Sequence, residues 1–329
     1  MNTIRPKATS IQLRTLSNTV LVHEDYPDSF LHVSLDLKLH KSLKVHSIYL
    51  VLNGIYTRVR LSGLWKEKIT RCTSHCNILE RQGTEYYLGP GEYSYNCVVK
   101  IPNHTDQTTT TDIGKVEYQL HGVVETMKFH PNLTKTVPVY VHRVLPRCEE
   151  LELADGLWED MLRYQVMSNG IDYTLEDSLN IAFRLESLVD VSFPWKLTAT
   201  LKESVGYYSR LKNGNAELKK RNRTISKVTK YKPEEPHISW ATLNLPVNTS
   251  NTTVSYDCHG QYVSVSHHIE AKIEMVNDKR RKFISILPIR LIHPDVQQWL
   301  EKSDSTHLPR YSSLPTNPRA TYMAQSTLK

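Results

Sequence analysis

Long apolar runs, glycine, cysteine and helical periodicity are all scarce in this 329-residue chain, and each scarcity excludes something. No apolar run approaches the ~20 residues that carry a helix across a bilayer, so a helical membrane span is not expected. Met1 to Ser10 lacks the apolar core of a secretory signal, which predicts a chain that stays in the cytoplasm. Glycine fills only 12 positions, too few for a collagen-like repeat. The five cysteines (Cys72, Cys76, Cys97, Cys148 and Cys258) are odd in number and irregular in spacing, a poor disulfide framework. The 3.6-residue apolar stripe of a long amphipathic helix appears nowhere.

Signatures of covalent chemistry are missing too. There is no Gly-rich phosphate loop, no nucleophile elbow and no metalloprotease motif. Cys72-Thr-Ser-His75-Cys76 is at most half of a zinc site, since no second Cys/His pair stands at finger spacing. Cys258 and His259 are adjacent, and adjacent residues on a strand point to opposite faces, which argues against a nucleophile–base pair. An enzyme, a bound metal and a cofactor are therefore not expected. Asn-x-Ser/Thr triplets at Asn103, Asn132, Asn222, Asn248 and Asn251 would suggest glycosylation in a secreted adhesion sandwich. That alternative requires export, which Met1 to Ser10 does not provide.

What is present is period-two patterning, in two sets. Leu31, Val33, Leu35, Leu37 and Leu39 alternate with polar neighbours, as a half-buried strand requires. Ile48 to Tyr56 is apolar on both faces and reads as a central strand. The turn Gly89-Pro90-Gly91 feeds Tyr93 to Ile101, and Lys115 to Glu125 and Thr136 to Val144 complete a first sandwich. Arg143 to Glu152 reads as a hinge, because Pro146 cannot donate to a ladder and Glu149, Glu150 and Glu152 favour solvent. The second set runs through Leu157 to Val166, Leu179 to Leu185, Trp195 to Leu201, Val263 to Met275 and Leu287 to Leu291. A hydrophobic content of 39% suits sheets with one wet face, and the length suits two domains. Two all-β sandwiches follow.

Leu88 to Pro102 with Lys115 to Glu125, and Gln261 to Met275 with Leu287 to Leu291, together resemble the closing strands of the two domains of arrestin-domain proteins. The resemblance covers roughly residues 20 to 295. It implies two tandem immunoglobulin-like arrestin β-sandwich domains, residues 1–147 and 148–295, and a flexible tail over 296–329. It also implies an adaptor that grips cytosolic segments of membrane transporters or receptors. Two departures stand out. Tyr26-Pro-Asp-Ser-Phe30 has none of the glycines the family carries in its early turn, and a threonine run, Thr108 to Thr111, replaces a Pro/Ser-containing stretch. No residues in the sequence mark the buried charge network that couples the domains of visual and β-arrestins, which points to the α-arrestin branch. A retromer-type cargo-sorting subunit is the alternative within the fold.

Asp295 to Ser303 spaces Val296, Trp299 and Leu300 as one face of a short helix. Beyond it the chain is rich in Ser, Thr and Pro, with too little apolar content to fold alone. Leu308-Pro309-Arg310-Tyr311 resembles the Leu-Pro-x-Tyr motif read by WW domains of HECT-type ubiquitin ligases, which α-arrestins recruit. Pro309 would lie in an aromatic groove in polyproline II geometry, with Leu308 and Tyr311 beside it. Recruitment of the chain to the plasma membrane or endosomes would bring ligase and cargo together.

Lys202 to Lys232 holds ten Lys or Arg against two Glu, in a chain of net charge +7. It reads as a long loop, densest at Lys219, Lys220, Arg221 and Arg223. Two uses are open: contact with an anionic membrane, or simple solvation. Nucleic acid is not an expected partner, because the nearby aromatics form no stacking module. His267 interrupts the apolar face between Val265 and Ile269 and reads as a buried imidazole with satisfied hydrogen bonds.

Overall fold

A computed structural model describes residues 9–24, 26, 28–59, 66–80, 85–127, 130–145, 153–189, 194–210, 216–232, 238–248, 253–276 and 282–306. The first half forms β1 (Ser10–Thr15), β2 (Thr19–His23), β3 (Asp28–Leu39), β4 (Leu43–Val59), β5 (Lys66–Leu79), β6 (Tyr86–Leu88), β7 (Gly91–Pro102), β8 (Thr109–Thr110), β9 (Gly114–Thr126) and β10 (Leu133–Val144). A three-stranded sheet, β1-β3-β7, packs on a seven-stranded one ordered β2-β10-β9-β4-β5, with β6 on β4 and β8 on β9.

The second half repeats this plan with β11 (Leu153–Trp158), β12 (Leu162–Ser168), β13 (Asp172–Tyr173), β14 (Ser178–Ser187), β15 (Trp195–Arg210), β16 (Ala216–Lys232), β17 (Ile238–Pro246), β18 (Cys258–His259), β19 (Val263–Met275) and β20 (Lys282–Leu291). Its sheets are β11-β12-β14-β17 and β13-β20-β19-β15-β16, with β18 on β19. Among the described residues no strand of the first half pairs with one of the second. The large sheets share one order, so β2, β10, β9, β4, β5 and β8 correspond to β13, β20, β19, β15, β16 and β18. In both, the first of these strands runs parallel to the second, and all the other pairings are antiparallel.

Alternation explains the ladders. In β9 and β19 every second side chain is buried, from Val116 to Val124 and from Val263 to Met275. Leu35, Leu50, Leu52 and Leu120 fill the first core, and Ile181, Phe183, Leu197 and Ile273 the second. Each such side chain contributes roughly 1.5–3 kcal/mol on burial. The first cluster also takes in Val205, Tyr207, Cys258, Val263 and Val265 from the second half, so apolar packing continues across the junction.

Four expectations are corrected. Lys202 to Lys232 is not a loop: β15 and β16 form a hairpin, in register from Trp195↔Lys232 to Arg210↔Ala216. A bulge hid its alternation, since Leu201 faces Ser226 while Lys202 faces Thr224, leaving Ile225 as the extra residue. Leu157 to Val166 is two strands, broken where Glu159 (φ 51°) and Asp160 (φ 53°) adopt the left-handed turn conformation without glycine. Arg143 and Val144 belong to β10, so no hinge begins there; residues 146–152 lie outside the described part. The tail expected from residue 296 starts as helix α1 (Pro294–Thr306), with Pro294 in its first turn, where a missing N–H is harmless. Val296 is buried beneath it and Trp299 packs on His23 of β2 at 4.2 Å, so the helix covers an outer face of the first sandwich. Among the described residues no helix is long and apolar enough to cross a membrane.

Candidate functional site at the junction of the two sandwiches

Equivalent strand ends meet where the halves touch. The hydroxyl of Thr109 in β8 lies 3.4 Å from Cys258 Sγ in β18, its counterpart. Tyr262 packs on Tyr56 at 4.3 Å and under the Arg71 guanidinium at 5.1 Å, and Arg58 lies over Tyr207 at 5.3 Å. The threonine run supplies the polar stitching. Thr108 exchanges hydrogen bonds with Val141, donating through its own N–H and accepting the Val141 N–H at Oγ1, both 2.8 Å. The Thr110 carbonyl accepts the Ser255 hydroxyl at 2.9 Å, and Thr111 Oγ1 accepts the Gly114 N–H at 2.9 Å. Asp106, buried, accepts the Gln261 N–H at 2.8 Å, and the Gln107 amide bridges the Arg143 N–H (3.1 Å) and the Asp257 carbonyl (3.4 Å). Arg143 donates to the carbonyls of Asn103 (2.8 Å) and Thr105 (3.1 Å) and to Glu24 (2.9 Å), holding this segment in shape.

Behind that segment lies a buried charge network that the sequence did not mark. Register aligns Arg223, Glu203 and His267 across β16, β15 and β19. Arg223 Nε donates to Glu203 Oε1 at 2.7 Å, and Glu203 Oε2 lies 3.3 Å from His267 Nε2. Asp257 Oδ2 sits 2.6 Å from His267 Nδ1 and also accepts the Leu291 N–H at 2.7 Å, while Oδ1 accepts the His267 N–H at 3.1 Å. Burial alone would lower the His267 pKa, but hydrogen bonds to Asp257 and Glu203 outweigh it and raise it to about 9. Burial would likewise raise the Glu203 carboxyl, yet hydrogen bonds from His267, Arg223 and the Ser255 amide hold it below the usual range. At neutral pH two cations face two carboxylates, so the group is neutral as a whole.

His267 is thus the satisfied buried imidazole expected of it, here in its charged form. The four basic residues part company. Arg223 is committed to Glu203 and the Thr253 carbonyl, and Arg221 to Asp112 of the first sandwich. Lys220 is exposed; Lys219 stands opposite Tyr207, and its side chain lies outside the described residues. Leu308, Pro309 and Tyr311 also lie outside them. Cys258 is buried with its thiol pushed up to about 11 by burial, while His259 is exposed, so no nucleophile–base pair forms. Cys72 and Cys76 lie on β5. The missed residues had a legible signal: Glu203 continues the inward parity of Leu197, Ala199 and Leu201, where a charge demands a buried partner.

The tandem sandwiches are joined along their equivalent strand ends, and the second holds a buried ionic group beside that junction. No family model matches the chain. Two curated proteins of Schizosaccharomyces pombe, each named "Putative arrestin-related trafficking adapter", are similar to it. One is 26% identical over 256 residues, covering 69% of this chain and 38% of that protein. The other is 28% identical over 137 residues, covering 40% and 27%. The chain therefore spans well under half the length of these relatives. In its all-β tandem sandwiches and in these similarities the chain resembles arrestin-related trafficking adapters.

Proposed function

We propose that the chain is a non-enzymatic trafficking adaptor, acting from the cytoplasm at the plasma membrane or endosomes. The supporting observation is the coupled pair of sandwiches in a chain similar over 69% of its length to a protein named for that role. One face of the scaffold engages cytosolic segments of a transporter or receptor. Leu308, Pro309 and Tyr311 recruit a WW-domain HECT-type ubiquitin ligase, and the cargo is ubiquitylated and internalised. Two weak contacts made at one membrane act together through effective concentration. An anionic membrane surface is a secondary partner, met by Lys219 and Lys220, since Arg221 and Arg223 are paired within the protein.

Pull-down of WW domains by the full chain tests this reading. Tyr311→Ala should reduce recruitment at least about tenfold, a loss of roughly 1.4 kcal/mol, with thermal unfolding unchanged. Pro309→Ala should act in the same direction, and Arg310→Ala, at the variable position, much less. Equal binding by native and Tyr311→Ala chains would remove ligase recruitment and favour the retromer-like reading.

A further inference from the structure

Helix α1 enters the first sandwich over a group the junction does not use. His142, on β10, is 5% exposed, and among the described residues its buried Nδ1 has no hydrogen-bond partner. A buried imidazole nitrogen without a partner is uncommon enough to need an explanation. His293, between β20 and α1, stacks on His142 at 3.7 Å with an interplanar angle of 18°. Asp295, in the first turn of α1, brings its carboxylate to 3.7 Å from His293 Nδ1. One ligand atom from each of the three lies within 4.8 Å of the others. The set is two imidazoles and a carboxylate, drawn from the first sandwich, the exit of the second and the helix.

We propose that His142, His293 and Asp295 bind a divalent transition-metal ion of the zinc class, which pins α1 to the first sandwich. Two imidazoles and one carboxylate are a borderline-soft donor set that suits Zn²⁺, with a water completing four-coordination. Tetrahedral bonds of about 2.0–2.1 Å put ligand atoms roughly 3.3 Å apart, so the three must close by about 1.5 Å at most, and His293 must swing out of its parallel stack on His142, because each imidazole lone pair lies in its own ring plane. Asp295, whose side chain is 48% exposed, has room to do so; His293, whose Nδ1 accepts the Asp295 N–H at 3.2 Å, must give up that bond or bind through Nε2. Coordination needs neutral imidazoles. The ion would give the orphaned His142 nitrogen its partner. It would also fix the direction in which α1 leads on toward residue 307, a role independent of whether Leu308, Pro309 and Tyr311 bind WW domains.

The test is titration of the chelator-stripped full chain with Zn²⁺ against a chromophoric competitor, with Co²⁺ as an absorbing substitute. Binding of one ion per chain at micromolar or lower Kd is expected, with a visible Co²⁺ band of four-coordinate intensity. His142→Gln and Asp295→Asn should each weaken binding at least tenfold. Asp295→Asn, at a half-exposed position, decides the matter if His142→Gln does not fold. Zn²⁺ should also slow proteolysis within residues 294–306 of the native chain. A Kd above about 100 μM, which is under about 5.5 kcal/mol of binding, would overturn the assignment. Binding undiminished in Asp295→Asn would overturn it equally.

Discussion

The row of residues that in the second sandwich reads Arg223, Glu203, His267 reads Arg71, Gly54, Tyr118 in the first. Even the neighbouring bulges correspond, between Leu52 and Asn53 and between Leu201 and Lys202. The frame is the same and its filling is opposite. In the first sandwich the buried Tyr118 ring lies over the bare backbone of Gly54, where an added Cβ would stand 3.0 Å from Cε1, and its hydroxyl donates to the Asp106 carbonyl at 2.8 Å. Burial raises the phenol pKa further, so no charge is involved. In the second, the same place holds an imidazolium between two carboxylates. A neutral hydrogen bond contributes about 0.5–1.5 kcal/mol and survives changes of pH; an ionic group gains little over an apolar filling of the same volume when complete and is costly when broken.

The largest effect is therefore expected from breaking the ionic row. Glu203→Ala strips a partner from both Arg223 and His267 and should destabilise the second sandwich by about 3–5 kcal/mol. Tyr118→Phe removes one donor from the first and should cost about 1 kcal/mol. Denaturant unfolding of the two variants would compare the rows directly. Equal losses would show that the two fillings are energetically alike.

The next effect is a pH dependence confined to the second sandwich. His267 faces Asp257 from the segment before β18, Glu203 from β15 and, through Glu203, Arg223 from β16. Its folded pKa, about 9, lies above the ordinary value of 6.5. The stability it contributes is thus complete below pH 6.5 and lost as pH rises through 9, an amount of about 3 kcal/mol. Glu203, held low, acts in the other sense and loses its contribution only as pH falls below the carboxylate range. Unfolding free energy measured between pH 6.5 and 9 should fall for the native chain and stay flat for His267→Gln. A native profile that is flat there would mean His267 is neutral in the fold.

How much of this could be read beforehand follows from what each residue has for company. β3, β9 and β19 were legible because each meets core on one face and water on the other, which writes strict alternation into the sequence. β16 was not, because a bulge shifts the alternation at Ile225 and its outward positions are basic. β11 and β12 merged because Glu159 and Asp160 make their turn without the glycine or asparagine that signals one. Helix α1 was legible in part: Val296 and Trp299 are spaced for one face, but nothing in the sequence says that His23 and His142 wait beneath it. At the junction, the threonines of 108–111 stood out as a departure, yet the partners of Thr109 and Thr110 are more than 140 residues away, and hydrogen bonds at that separation leave no local pattern.

The smallest effect probes the edge where the two frames meet. Gly114 opens β9 as Val263 opens β19, and a Cβ on Gly114 would stand 2.8 Å from Tyr207 Cδ2 and 3.0 Å from Val263 Cγ2. Both obstructing atoms belong to side chains of the other sandwich, so strain at this point is relieved by parting the halves, not by distorting one core. Overpacking of this size costs about 1–3 kcal/mol, and the lower end is expected because Tyr207 and Val263 can yield. Gly114→Ala should leave both cores intact and quicken amide exchange in 105–111 and 255–262, the segments that stitch the junction. Val263→Ala, which removes one obstructing methyl, should partly restore the slower exchange in the double variant, the non-additivity that contact predicts. Unchanged exchange in both segments would show that the two sandwiches do not hold each other through this edge.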